Sequence, residues 1–398
     1  MASQHAEDLE TYLLGVVEGR IRGFWPGCLR LLLSGLSLLF SQIVRMRLWL
    51  YGLDLLKPFR PGCQVISVGN LTVGGTGKTP VVETFARSLK GHGRKVAILS
   101  RGYRRKKRTR RERFLEWLKG ERDDGTRVVS DGSEGSQPLI DSSVSGDEPW
   151  MLAKNLPGVA VLVNADRVAS CRKAVRDLGC DTLVLDDGFQ HLRLKHRMDI
   201  VLVDSTNPFG NGRMLPSGIL REPIKNIKRA DFIFITKVRE GGAPDLKRQL
   251  RTLNPNAQIV ECRHCPRFLQ RLDRSSSHPE GQPLPKEDLA FLDGKRVVAL
   301  SGIARPQGFE DELVRLGSTV MDHHLYADHH RYLPGEIDRA VDDAYVHNAD
   351  MVVTTEKDAA RFPELIDLRL PVYYLRVEIE MLDGEDQFDQ WVSRVCFA

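Results

Sequence analysis

An α/β fold built on a parallel sheet is what the sequence predicts, and three observations predict it. Short apolar runs recur along the chain at 65–68, 96–99, 127–129, 159–163, 182–185, 200–203 and 232–235, with helical segments between several of them, notably 147–155 and 167–178. Strands separated by helices close as right-handed βαβ units. A Gly-rich turn follows the first run and opens a helix expected over about 78–90. Beyond a polar, Pro-containing stretch at about 273–285 the alternation resumes at 297–300, 307 onward, 352–353 and 372–375, enough for a smaller second α/β domain. No internal repeat is visible.

Composition narrows the class. The chain has 398 residues, 41% hydrophobic and 28% charged, ordinary globular usage that excludes wholesale disorder. A mean hydropathy of −0.29 excludes a polytopic membrane protein. Seven Cys in a chain of this length are no disulfide framework and point to a reducing or matrix-like compartment. The formal net charge of +5 is unevenly spread. Between Arg101 and Arg122 stand eleven Lys or Arg against three Glu, a local +8 that leaves the rest of the chain at −3. That excludes a protein that binds nucleic acid over its whole surface.

The first twenty residues carry Glu7, Asp8, Glu10 and Glu18 and resemble neither a cleaved signal nor an Arg-rich transit peptide. A Leu-rich block follows, with 14 uncharged residues from Leu31 to Val44. That is short of the roughly 20 needed to span a bilayer. Arg20, Arg22 and Trp25 precede it, and Arg45, Arg47, Trp49 and Tyr51 follow. Basic and aromatic anchors around an apolar helix describe a segment lying in, or dipping into, a membrane interface. The alternative is a helix buried against the soluble body.

The sharpest chemical signal is Gly69-Asn70-Leu71-Thr72-Val73-Gly74-Gly75-Thr76-Gly77-Lys78-Thr79, a phosphate loop in strand-to-helix context. Thr72, Gly74, Gly75, Thr76, Gly77, Lys78 and Thr79 are the nucleotide-binding candidates. Glycines let backbone N–H groups turn toward phosphate oxygens, Lys78 adds a point charge, and the Thr79 hydroxyl is a ligand for Mg²⁺. Thr72 stands where the standard pattern has Gly. The apolar run 182–185 ends in Asp186 and Asp187, and strand C-termini of a parallel sheet face the phosphate loop. Either carboxylate then serves Mg²⁺ or its water shell. Together these features predict a P-loop NTPase (RecA-like) parallel-sheet domain plus a smaller C-terminal α/β domain, with an N-terminal membrane-associating helix.

More specific strings accompany the loop: Ser100-Arg101-Gly102-Tyr103, Gly146-Asp147-Glu148-Pro149, Asp186-Asp187-Gly188-Phe189-Gln190-His191 and Leu220-Arg221-Glu222-Pro223, then Asp328-His329-His330 and Thr355-Glu356-Lys357-Asp358. In this order the combination resembles the tetraacyldisaccharide 4′-kinases, over about residues 25–374. The resemblance implies transfer of the ATP γ-phosphate to the 4′-hydroxyl of a tetraacylated glucosamine disaccharide 1-phosphate. It also implies a large P-loop domain, a smaller α/β domain with the active site in the cleft, and an N-terminal helix that reaches a membrane-embedded substrate.

Residue roles follow by motif. Asp147 matches the family's catalytic Asp, which orients the sugar hydroxyl and accepts its proton late. His329 matches its partner, reaching over from the second domain so that the dyad completes on closure. Glu148, Asp186, Asp187 and Glu222 are the acidic candidates around Mg²⁺ with Thr79. Arg101, Tyr103, Arg167, Gln190, His191 and Arg221 are expected to meet the disaccharide or its 1-phosphate, for which an Arg fork is suited. Other readings remain beside these. Asp147 before Glu-Pro is a good helix start. His323, His324, His329 and His330 form a sequence cluster of possible metal ligands. Cys262 and Cys265 have redox or zinc spacing without a second Cys pair.

The expected layout is a leader and helix over 1–60, a P-loop domain over 61–270, a linker over 271–290 and a second domain over 291–398. ATP and Mg²⁺ are the expected cofactors. The expected partners are the acylated disaccharide 1-phosphate and a membrane surface, with no nucleic acid and no obligate protein partner. The segment at about 104–125 pairs basic charge with Phe114, Leu115, Trp117 and Leu118, a composition suited to anionic lipid or to a solvated loop. Extra length there and before Leu289 suggests a plant-type, mitochondrial homologue. The other location is the cytoplasmic face of a bacterial inner membrane. A P-loop kinase for another amphipathic or sugar acceptor, or a nonenzymatic nucleotide-binding membrane adaptor, is the alternative function.

Overall fold

The computed structural model describes residues 12, 15–17, 20–102, 124–135, 137–274 and 284–397. Tyr103, most of the basic segment (103–123) and residues 275–283 of the expected linker lie outside the described residues. The chain forms two compact units. The first comprises Met1–Arg101, Asp166–Arg263 and Met381–Ala398, and the second Gly102–Ala165 and His264–Glu380. The units interleave along the chain, where the sequence suggested consecutive blocks.

The first unit holds a parallel sheet. Its order runs from Gln258–Arg271 (whose N-terminal part belongs here) through Phe232–Thr236, Met198–Asp204, Gln64–Asn70 and Thr182–Asp186 to Val96–Ser100. Every pairing among these is parallel. Ile66, Val184, Ile98, Ile200 and Ile233 are fully buried, the near-continuous apolar runs of strands covered on both faces. The helix Lys78–Gly91 buries Val81, Val82, Phe85, Ala86 and Leu89. The C-terminal helix Glu385–Phe397 returns to this unit: Phe388 meets Phe85 and Phe234 edge-on at 5.5 and 6.0 Å, and Trp391 meets Phe232 at 4.9 Å. Those aromatic contacts draw the chain terminus away from the C-terminal α/β block expected from its position.

The apolar block lies within one helix, Phe24–Gly52, of 29 residues, about 43 Å at 1.5 Å per residue. It is long and apolar enough to cross a membrane. The side it turns to the protein is the polar one. Ser37 and Ser41 are buried, Ser37 Oγ donates to the Met214 carbonyl at 2.8 Å, and Ser34 Oγ lies 3.4 Å from Ser217 Oγ. Phe40 and Val44 continue that stripe onto a core containing Leu71, Phe189, Val201 and Met214. Positions 34, 37, 41 and 44 share one face at helical spacing. Leu31, Leu32, Leu38, Leu39, Ile43 and Trp49 are exposed.

The second unit has its own parallel set, ordered Thr319–Leu325, Arg296–Ser301, Met351–Thr355, Val372–Asp383. Val298, Leu300 and Val352 pack with Ile337 and Val341 of helix Pro334–Val346, while Val297, Ala299 and Val353 pack with Phe309 and Leu313 of helix Pro306–Arg315. The alternation of strand residues between two cores is the period-two signature of a sheet covered on both sides. The antiparallel pair Arg127–Asp131 and Ala160–Val163 belongs to this unit, with helix Asp147–Asn155 between them in sequence.

Candidate functional site

In the first unit, strand Gln64–Asn70 delivers the phosphate loop and helix Lys78–Gly91 receives it. Gly77 caps the helix at φ +79° and Gly74 sits at φ +113°, left-handed geometry that other residues adopt at a cost. Among the described residues, no side chain caps this helix. Its first N–H groups and its positive dipole end are thus left for an anion. Asn70 Nδ2 donates to Thr76 Oγ1 at 3.1 Å and to Thr72 Oγ1 at 3.5 Å. Thr72, in place of the usual Gly, is therefore a buried brace of the loop.

The neighbouring strand Thr182–Asp186 brings up both carboxylates, with Asp186 in register with Val68. Asp186 is buried and accepts from Ser100 Oγ at 2.9 Å. Asp187 turns left-handed at φ +55° and meets Arg221 Nη1 through both oxygens, at 2.9 and 2.7 Å. Lys78 Nζ lies 3.7 Å from the same carboxylate. Burial pushes the Asp187 carboxyl up, but the charges of Lys78, Arg221 and Arg167 outweigh it and hold it below the ordinary range. Arg221 is placed by the backbone: its N–H donates to the Leu71 carbonyl at 2.7 Å, and Val73 N–H to Ile219 at 2.7 Å. The motif around Arg221 is thus clipped to the phosphate loop.

The remaining expected residues of this unit differ in placement. Arg101 is exposed at the end of strand Val96–Ser100. Arg167 is buried at the start of its helix, Nη2 at 3.4 Å from the Asp186 carbonyl. Gln190 Nε2 donates to the Asn70 carbonyl at 2.9 Å. His191 is partly buried, and among the described residues its Nε2 has no hydrogen-bond partner. Burial, then the charges of Arg167, His196 and Arg193, push its pKa down to about 4, so it is neutral at pH 7. Glu222 is buried against Asn226 Nδ2 at 2.8 Å and Arg229 Nη2 at 3.1 Å. Burial raises its pKa despite Arg229, and its bonds are to those two groups rather than to the phosphate loop.

Sequence reading missed three residues here. Lys237, left-handed at φ +57°, donates from Nζ to the Gly75 carbonyl at 2.6 Å and pairs with Asp204 at 2.5 Å. Thr236 Oγ1 donates to the Thr76 carbonyl at 2.8 Å. Burial pushes the Asp204 carboxyl up, but hydrogen bonds from Lys237 and Thr206 hold it below the usual range. A signal was present: Thr236-Lys237 and Asp204 end apolar strands, as Asp186 does, and strand ends of a parallel sheet converge on the phosphate loop.

The second unit carries Asp147 at the first position of helix Asp147–Asn155, after Gly146. His329 Nδ1 lies 3.1 Å from Asp147 Oδ2, inside one unit. Both members of the dyad thus belong to the second unit, where the resemblance led to the expectation of a contact between two domains. Arg361 Nε donates to the same oxygen at 2.7 Å, and Arg331 Nη2 approaches Oδ1 at 3.4 Å. Burial pushes the Asp147 carboxyl up. The His329 hydrogen bond and the charges of Arg361 and Arg331 outweigh it, so it sits below the ordinary range. Glu148 is half-buried beside it.

The other histidines of the cluster face carboxylates: His323 faces Glu310 at 2.9 Å, His324 faces Asp343 at 3.3 Å and Asp322 at 3.5 Å, and His330 faces Glu336 at 2.9 Å. Among the described residues no group of three or more His, Cys, Asp or Glu is arranged to hold a metal. His323 Nε2 also meets Ser301 Oγ at 2.8 Å, but Ser301 is fully buried and offers no nucleophile to a substrate. Cys262 and Cys265 are free thiols, and burial pushes Cys262 up to about 12. For Mg²⁺, the Thr79 hydroxyl with Asp186 and Asp187 fits by chemistry. The ion takes hard oxygen donors, one or two carboxylates beside substrate phosphates, and keeps several waters.

The sequence model of the family described as tetraacyldisaccharide-1-P 4′-kinase matches residues 29–396. The tetraacyldisaccharide 4′-kinase of Halothermothrix orenii is 34% identical over 389 residues, 96% of this chain and 97% of that protein. That of Anaeromyxobacter dehalogenans strain 2CP-C is 41% identical over 354 residues, covering 87% and 85%. A crystal structure of LpxK from Aquifex aeolicus in complex with ATP has a TM-score of 0.66 at 28% identity, over 92% of this chain and 99% of that one. The matched coverage makes the Halothermothrix protein about as long as this chain. Length therefore does not set the chain apart from bacterial relatives, and the plant-type reading has no support.

Proposed function

We propose the following division of labour within this chain, which belongs to the tetraacyldisaccharide-1-P 4′-kinase family: the first unit presents ATP, and the second addresses the lipid hydroxyl. The chain is an ATP-dependent kinase of lipid A biosynthesis, transferring the γ-phosphate to the 4′-hydroxyl of tetraacyl-glucosamine-disaccharide 1-phosphate to form lipid IVA.

The uncapped N–H groups of the loop and Lys78 hold the phosphates, and Thr79 with Asp186 or Asp187 would hold Mg²⁺. When bound there, Mg²⁺ would supply positive charge that offsets the charge developing on the transferring group. Arg221 keeps Asp187 ionised and aligned. Glu222 serves to seat Arg229, and Glu148 remains a secondary acidic candidate. Arg101, Tyr103, Arg167, Gln190 and His191 are assigned to the disaccharide or its 1-phosphate. His191 does so as a neutral imidazole.

Asp147 orients the 4′-hydroxyl and accepts its proton late, because a carboxylate is too weak a base to ionise an alcohol before phosphoryl transfer begins. His329 fixes the carboxylate. The observation that carries this reading is Asp147 itself: ionised, at a helix start, and hydrogen-bonded to His329 at 3.1 Å. The test is phosphoryl transfer from γ-labelled ATP to the tetraacyl disaccharide 1-phosphate. Asp147→Ala and Lys78→Ala should each lower kcat by at least about 10²-fold in folded protein; near wild-type turnover would remove that assignment.

The outward face of helix Phe24–Gly52 supports membrane association, since its polar stripe is already used against the protein. The proposed location is the cytoplasmic face of a bacterial inner membrane, and nothing supports a mitochondrial one. An acceptor stripped of its acyl chains should be a much poorer substrate.

A further inference from the structure

Asp147 has two oxygens in unequal surroundings. Oδ2 takes both His329 Nδ1 at 3.1 Å and Arg361 Nε at 2.7 Å, while among the described residues Oδ1 meets the half-exposed Arg331, at 3.4 Å. Arg361 is the unusual member. Its side chain is fully buried, and a buried guanidinium requires compensation. Asp358, also fully buried, accepts from Arg361 Nη1 at 3.1 Å, and the Gly302 carbonyl accepts from it at 3.2 Å. Asp358 is in turn fixed by Tyr332 Oη at 3.0 Å, Gly302 N–H at 3.1 Å and Thr355 Oγ1 at 2.6 Å. The guanidinium is thus built into the second unit from behind and presents Nε–H to Asp147, with Nη2 3.3 Å from His329 Nδ1.

We propose that Arg361 is a positioning residue for phosphoryl transfer: together with His329 it claims Oδ2 of Asp147, so that Oδ1 alone faces the acceptor hydroxyl and receives its proton. The inference rests on the assignment of Asp147 as the base. His329 fits the same arrangement with a hydrogen on Nδ1, the nitrogen that Arg361 Nη2 also approaches at 3.3 Å. That hydrogen serves Asp147, while Nε2 faces Lys357 Nζ at 3.4 Å. A hydrogen on Nε2 instead would set the Nδ1 lone pair against the carboxylate. The side chains paired with Asp147 are His329 and Arg331 from one loop and Arg361 from the segment after strand Met351–Thr355.

The test measures kcat and both KM values for Arg361→Gln and Arg361→Lys. Loss of the guanidinium should lower kcat about 10–100-fold. KM for ATP should stay unchanged. Lysine keeps the charge but not the fork, so Arg361→Lys should recover kcat part of the way toward wild type. Wild-type kcat in folded Arg361→Gln overturns the proposal. So does folded Arg361→Lys with turnover as low as that of Asp147→Asn, a comparison that stands even when Arg361→Gln fails to fold. In an Asp147→Asn background, adding Arg361→Gln should remove little further turnover. If Asp147→Asn alone keeps wild-type kcat, the assignment of the base fails instead. If Asp147→Asn is inactive and Arg361→Gln is wild type, only the role of Arg361 fails.

Discussion

Replacing the outward face of helix Phe24–Gly52 should release the protein from membranes without unfolding it. The perturbation is Leu31, Leu38, Leu39 and Ile43 each changed to Gln, a good helix former, so the helix persists. Their exposures are 76%, 68%, 63% and 58%. Burying a large aliphatic side chain fully contributes about 1.5–3 kcal/mol, so a bilayer that covers the exposed parts gains about 1–2 kcal/mol from each. Four substitutions then remove roughly 4–8 kcal/mol, about three to six powers of ten in partition. Lys and Arg near the lipid each add about 1 kcal/mol on anionic bilayers, which sets a floor on the measured change. The assay is co-flotation with phosphatidylethanolamine–phosphatidylglycerol vesicles, read against the melting temperature. Ser37→Ala is the control on the opposite face. It loses a bond to the Met214 carbonyl, about 1 kcal/mol of stability, and should still float. A quadruple variant that floats like wild type would refute the reasoning, and so would one that fails to fold, since the face is exposed.

Three further outcomes follow from packing and charge. Gly69→Ala would put a Cβ 2.8 Å from both Cβ and N of Phe189, a backbone clash that should cost about 1–3 kcal/mol in urea unfolding and weaken ATP binding. Lys237→Met removes the brace on Gly75 and leaves buried Asp204 without its cation. KM for ATP should rise about tenfold with KM for the lipid unchanged, and stability should fall by about 1–3 kcal/mol. His191, with its folded pKa at about 4, stays neutral while the unfolded chain takes up a proton near the ordinary value of about 6.5. The unfolded state then binds more protons, so stability is full above about pH 6.5 and declines toward pH 4, and His191→Gln should flatten that slope in pH-dependent unfolding.

The phosphate loop was legible because its chemistry is local: glycines, a lysine and a strand-to-helix switch within eleven residues. The carboxylates of Asp186 and Asp187 were legible as a strand end. What the sequence does not carry is which core a helix joins. Helix Glu385–Phe397 has an ordinary amphipathic pattern, and only the fit of Phe388 and Trp391 against Phe85, Phe232 and Phe234 sends it to the first unit. Nor does it carry residues that act through the backbone. Lys237 matters by touching the Gly75 carbonyl, and Arg361 by being buried, and neither property is visible in a letter. The Leu-rich block was read as membrane-seeking from composition. Its polar stripe at 34, 37 and 41 acquires meaning only once the Met214 carbonyl and Ser217 are opposite it.

Asp147 and His329 are 182 positions apart, yet both belong to the second unit and meet within it. A dyad assembled by substrate would set catalysis by a conformational step, whereas a preassembled one needs only that the reactants arrive. His329 holds a left-handed backbone at φ +67°, with its N–H to the Gly302 carbonyl at 3.2 Å. Such a conformation costs about 1–3 kcal/mol in a non-glycine residue and persists where its surroundings over-determine it. The surroundings are the same Gly302–Asp358–Arg361 cluster that fixes Asp147. Nitrogen-15 spectra of labelled imidazole should therefore show the Nδ1–H tautomer of His329 in ligand-free protein, unchanged by a nonhydrolysable ATP analogue. An Nε2–H tautomer in the free protein that converts on adding the analogue would mean that the dyad is made by the nucleotide and that preassembly is wrong.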